Sequence, residues 1–114
     1  MGRRKAPLGL SVAGRKLWNS VLKEFDLAEH EAAQLEEACR VRDTIATLRE
    51  QLDADGVMIS SSQGSRLHPA VSEIRQQQLA LARLLATLNV PALEEDSLPA
   101  STGARGVYSL RKAS

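Results

Sequence analysis

The residues able to carry chemistry in this chain are few: His30, His68, Cys39, the hydroxyls of Ser60, Ser61, Ser62 and Ser65, and scattered carboxylates. Nucleophilic catalysis needs a hydroxyl or thiol, a base within reach, and a third group that orients the base. His68 with one of the nearby serines supplies the first two, but nothing in the sequence supplies the orienting group or oxyanion donors. His68 also precedes a proline at a helix start, where capping, or packing of the loop against the helices, is the expected role. His30 stands in an acidic helix opening and is expected at the surface. Metal binding wants ligands converging from separate elements, and two histidines do not supply them, so no metal is expected. Asp53 and Asp55 flank a helix end, where solvated capping is the expected role. Neither GxxxxGK[ST] nor GxGxxG occurs, so no nucleotide loop and no cofactor are expected. The chain reads as non-enzymatic.

Cys39 falls in an apolar helical pattern, which suits a buried thiol. As the only cysteine it forms no disulfide within the chain, which fits an intracellular setting. No run of eighteen apolar residues spans a membrane, and the basic start lacks the apolar stretch of a signal peptide.

The charged residues are more informative than the net charge of +1, because they are sorted along the chain. Residues 1–23 hold six basic groups (Arg3, Arg4, Lys5, Arg15, Lys16 and Lys23) and no acidic one. Residues 24–55 hold ten acidic groups against three arginines. A basic end beside an acidic middle suits one face for a polyanion and another for protein, although a solvated acidic helix face explains the middle equally well. The six basic groups are the candidate DNA contacts, by phosphate neutralisation. Six are few for one molecule, and repetition around an oligomer would multiply them. No cluster points to base-specific reading.

The elements that must position these groups are helical. Leucine and alanine dominate, and aromatics are limited to Trp18, Phe25 and Tyr108, a composition that favours helix over a sandwich or barrel. Residues 1–10 read as a flexible basic arm, 11–90 as the helical domain, and 91–114 as a flexible tail. Ser11 is positioned to cap a helix over 12–25 with the stripe Leu17, Trp18, Val21, Leu22 and Phe25, and Gly14 weakens its first turn. Asp26 is expected to break the chain direction and cap a long helix over 28–54. There Ile45, Leu48 and Leu52 share one side with Val41. Its length suggests pairing with another long helix, in this chain or another. Gly56 suits a left-handed cap at its end. Val57–Ile59 and Ser65–Leu67 form either a two-stranded flap or a mobile loop. Pro69 starts a third helix reaching Leu88, with Ile74, Leu81 and Leu85 on its stripe and Asn89 in the left-handed position beyond it. The fold expected is all-α: an N-terminal helix plus a long antiparallel hairpin with a short β-like turn at its tip. So small a core is expected to need a second copy to complete it. In the tail, Val107, Tyr108 and Leu110 form either a docking peptide or an incidental apolar group.

Four segments, in order, carry a resemblance: Gly14-Arg15-Lys16-Leu17-Trp18 with Phe25-Asp26-Leu27; the acidic helix; Ala54-Asp55-Gly56; and Leu67-His68-Pro69-Ala70-Val71-Ser72-Glu73-Ile74-Arg75. Together with Leu79 to Leu88 they resemble the P27-type phage terminase small subunits over about residues 7–91. The resemblance implies a non-enzymatic DNA-recognition component of the bacteriophage genome-packaging motor, acting in the bacterial host cytoplasm. It implies a homo-oligomeric ring, double-stranded viral DNA as ligand, and a terminase large subunit that holds the ATPase and nuclease. It also implies that Trp18 and Leu22 anchor the first helix on the hairpin. His68 and Pro69 would fix the start of its second helix, and Ile45, Leu48, Leu52, Ile74, Leu81 and Leu85 would pack the hairpin or its neighbours. The basic stretch before Pro7 is shorter than relatives often have, which shifts DNA contact toward Arg15, Lys16, Lys23 or the Arg111-Lys112 end. The other reading is a helical protein-interaction or structural module that binds no DNA.

Overall fold

The computed structural model describes residues 4–89 and the backbone of residues 111–112. Arg3 and the apolar tail residues Val107, Tyr108 and Leu110 lie outside the described residues. Three helices carry the fold: α1 (Val12–Glu24), α2 (Glu29–Asp55) and α3 (Ala70–Leu88). A two-residue strand β1 (Phe25–Asp26) follows α1, and β2 (Met58–Ser61) with β3 (Gly64–Leu67) joins α2 to α3. A last short strand, β4 (Arg111–Lys112), pairs antiparallel with β1. This is the all-α hairpin fold expected, and the connection at its tip is a true antiparallel flap in which Met58 faces Leu67 and Ile59 faces Arg66.

α2 is the middle element. Its length follows from carrying two neighbours: α1 lies along its first half, and α3 runs back beside it. Gln34, near the start of α2, donates to the Leu84 carbonyl late in α3, while Asp55 at the end of α2 meets His68 at the start of α3. These two ties define the antiparallel hairpin. The core forms around α2, where Leu35, Ala38 and Cys39 are wholly buried and Ile45 is 1% exposed. Trp18, Val21 and Leu22 close it from α1, and Ile74, Leu81, Leu85 and Leu88 from α3. Leu48 and Leu52 pack against this core but stay half-buried, because the far half of the hairpin has only two helices to cover it.

Several local expectations need correction. Ser11 is the N-cap of α1, but its side chain makes no capping bond. The carboxylate of Asp43 on α2 does that work, accepting the Ser11 N–H at 2.7 Å and the Gly14 N–H at 2.6 Å. Gly14 therefore does more than weaken a turn. A Cβ at that position would stand 2.6 Å from both the Asp43 carboxylate and the Cys39 carbonyl, so glycine is what lets α1 approach α2 this closely. Asp26 does not cap α2, because it is drawn into β1; the N-cap is Ala28, whose N–H donates to Glu31 at 2.7 Å. Gly56 has φ 85° and ψ 158°, a positive φ as expected but outside the left-handed helical basin. Asn89 occupies that basin, with φ 58° and ψ 48°.

The arm is also less free than its composition predicts. Leu10 is buried, Ala6 packs on the core, the Trp18 indole donates to the Arg4 carbonyl, and Arg40 donates to the Leu8 carbonyl. Residues 4–10 are thus laid over α1 and α2, where burying two apolar side chains outweighs the freedom that glycine and proline content suggests.

Candidate nucleic-acid interface

The basic residues separate into two groups once α1 is in place. Because Leu17, Trp18, Val21 and Leu22 turn toward α2, the outward face carries Arg15, Lys16, Asn19, Ser20 and Lys23, all exposed. Lys16 and Lys23 are seven residues apart, nearly two turns, so they share one side about 10 Å apart along the axis. No acidic side chain interrupts the face before Glu24. Among the described residues Lys5, Arg15, Lys16 and Lys23 make no ion pair. Their charges are available to a ligand.

Arg4 differs. Its guanidinium lies 3.3 Å from the Glu29 carboxylate and donates to the Leu27 carbonyl at 3.4 Å. That geometry makes it a fastener for the arm, with only part of its charge left for phosphate. Candidate DNA contact among the described residues therefore centres on α1, with Lys5 beside it.

The residues expected to pack do so inside a single chain. Trp18, Leu22, Ile45, Ile74, Leu81 and Leu85 are all buried. The large apolar side chains left exposed are a different set: Leu8, Val12, Val57, Met58, Leu67 and Leu79.

His68 is the one buried polar side chain among the described residues, and both of its ring nitrogens are engaged. Nδ1 accepts the Ala70 N–H at 2.9 Å, so the ring proton sits on Nε2, which donates to Asp55 at 2.8 Å. The histidine thus caps the start of α3 and clasps the end of α2, the local role its place before Pro69 predicts. No ring nitrogen remains to activate a serine. Asp55 is more than the solvated cap expected: Gln51 and His68 both donate to it and hold its carboxyl below the usual range. The reciprocal pairing joins residues thirteen apart through a flap, so no local spacing signals it.

Cys39 is buried, and its thiol is pushed up to about 12, first by burial and then by the nearby Asp43 and Glu36 carboxylates. It stays protonated and unreactive near neutral pH. Among the described residues no three His, Cys, Asp or Glu side chains gather as a metal site, and no helix is long and apolar enough to cross a membrane. No family model matches the chain, and neither a curated protein nor a solved structure matches it.

Proposed function

We propose that this chain is the small subunit of a viral DNA-packaging terminase, a non-enzymatic adaptor that holds double-stranded DNA electrostatically and leaves ATP hydrolysis and cleavage to a large subunit. The observation that carries the proposal is the outward face of α1, where Arg15, Lys16 and Lys23 stand exposed, in no ion pair among the described residues and separated by Asn19 and Ser20. Cations spaced along a helix, with short hydrogen-bonding side chains between them, suit a phosphate backbone. The ordered motifs described above stand beside this face in favouring the packaging role, with the chain repeated in a ring so that weak faces add.

Duplex DNA binding measured against salt tests the reading. Each phosphate contact contributes about 0.9 to the slope of log K on log salt. Lys16→Gln with Lys23→Gln should flatten that slope by about 2 while leaving the fold intact. No binding by the assembled protein near 50 mM salt would leave the hairpin as a protein-interaction module instead.

A further inference from the structure

The outward edge of α3 carries charge that the packing of the hairpin does not use. Ile74, Leu81, Leu85 and Leu88 are buried toward α2, which leaves Arg75, Leu79 and Arg83 exposed at four-residue intervals along one row. Neither arginine makes an ion pair among the described residues. Leu79, 37% exposed, is the one large apolar side chain of α3 left open. Glu73, the single acid of the helix, lies off this row and takes the Gln77 amide at 2.9 Å. A row of arginine, leucine and arginine suits an acidic partner that brings an apolar side chain of its own. A phosphate backbone would leave Leu79 uncovered.

The chain itself supplies such a partner. Residues 90–104 contain Glu94, Glu95 and Asp96, no basic group, and a leucine on either side of the acids, Leu93 and Leu98. The run that holds them is bounded by described residues, Asn89 beyond α3 and Arg111 in β4. The left-handed conformation of Asn89 turns the chain off the helix axis. Measured along α3, Arg83 lies about 9 Å and Arg75 about 21 Å back from Asn89. Extended chain lets Glu94 reach about 16 Å from Asn89, and Asp96 about 23 Å. The acids therefore cover the interval between the two arginines, and the fifteen residues from Asp96 to Arg111 leave ample chain for the return to β4. Exposed ion pairs are weak one at a time. Here segment and face share one chain, which gives them an effective concentration on the order of millimolar.

We propose that the row of Arg75, Leu79 and Arg83 on α3 is the docking face for this chain's own residues 92–98, with Glu94, Glu95 and Asp96 set against the two arginines and a flanking leucine against Leu79. Docked there, the segment screens Arg75 and Arg83 from polyanions and leaves phosphate contact to α1. The inference goes beyond the packaging reading and does not depend on it.

A nitroxide attached at Ser97→Cys in the full chain tests the proposal, since Cys39 is buried and does not compete for the label. The label should broaden the amide signals of residues 75–83 more than those of α1. Arg75→Gln/Arg83→Gln should remove most of that broadening, and so should Glu94→Gln/Glu95→Gln/Asp96→Asn. Arg75→Glu/Arg83→Glu combined with Glu94→Lys/Glu95→Lys/Asp96→Lys should restore it. Broadening that is absent from α3, unchanged in either neutralised chain, or centred on residues 15–23 of α1 would overturn the proposal. A mixture in which only nitroxide-free chains are isotope-labelled should show no broadening on α3. Broadening there would make the occupant a second copy and overturn it as well.

Discussion

Two carboxylates do structural work in this protein that a count of charges hides. Asp43 reaches across from α2 to accept two N–H groups at the start of α1, supplying the cap that Ser11 does not make with its own side chain. The arrangement needs Gly14, since even one methyl group would press on the Cys39 carbonyl of the neighbouring helix. Gly14→Ala should therefore destabilise the protein by about 1–3 kcal/mol, despite alanine's better helix propensity, as read by urea denaturation. A neutral or stabilising result would mean that α1 can move away at no cost. Asp55 makes a prediction in pH. Its carboxyl is held below the usual value of 3.8, first by the Gln51 amide and then by His68. A depressed folded value means that the contribution is complete above that usual value and fades as pH falls through the lower, folded one. The stability gap between the wild-type chain and Asp55→Asn should accordingly stay level above about pH 4 and narrow below it. A gap that held level into strong acid would show that the carboxylate charge is not what His68 and Gln51 hold.

At the scale of elements, burial sorts residues that the periodic pattern treats alike. Leu81 is 7% exposed, whereas Leu48, on the facing stripe of the hairpin, is only half-buried. Leu81→Ala should cost about 2–5 kcal/mol, and Leu48→Ala should fall below it, with both read by chemical denaturation. Equal losses would place a further covering over the far half of the hairpin. The three helices and their stripes were legible because leucine spacing of three and four has one natural solution, and Pro69 and Asn89 mark the bounds of α3 by backbone preference. Asp43 and Asp55 were not legible in these roles, because each serves a partner that only tertiary folding brings near. The same holds for Arg4: as a residue type it reads as a phosphate contact, and only the approach of Glu29 makes it a fastener. Lys16 and Lys23 were legible as candidates, since an amphipathic helix whose apolar stripe is known leaves its lysines outside.

The described residues measure 58 × 35 × 19 Å, a slab with its core around α2. The sequence suggested that a second copy would be needed to finish the core. Trp18, Leu22, Ile45, Ile74, Leu81 and Leu85 are buried within one chain while Leu48 and Leu52 stay half-buried, and dilution weighs the two: if the single-chain core suffices, the thermal midpoint should stay constant over about a hundredfold range of protein concentration. A midpoint that falls with dilution would tie folding to assembly. Assembly itself is a separate question, answered by mass. The ring expected on the packaging reading should appear at several multiples of the 12.4 kDa chain at micromolar concentration, and a single-chain mass there would count against it. Beneath the flap, the Asp55–His68 clasp and the bond from the His68 N–H to the Val57 carbonyl close the hairpin below the paired strands. The helices consequently meet one another through a locked gate, and Met58–Leu67 hangs beyond it like a pennant from a mast. That stretch can be lengthened, recoded or traded for a foreign epitope with the rods beneath left standing, which makes it the natural place for this scaffold to acquire new specificities.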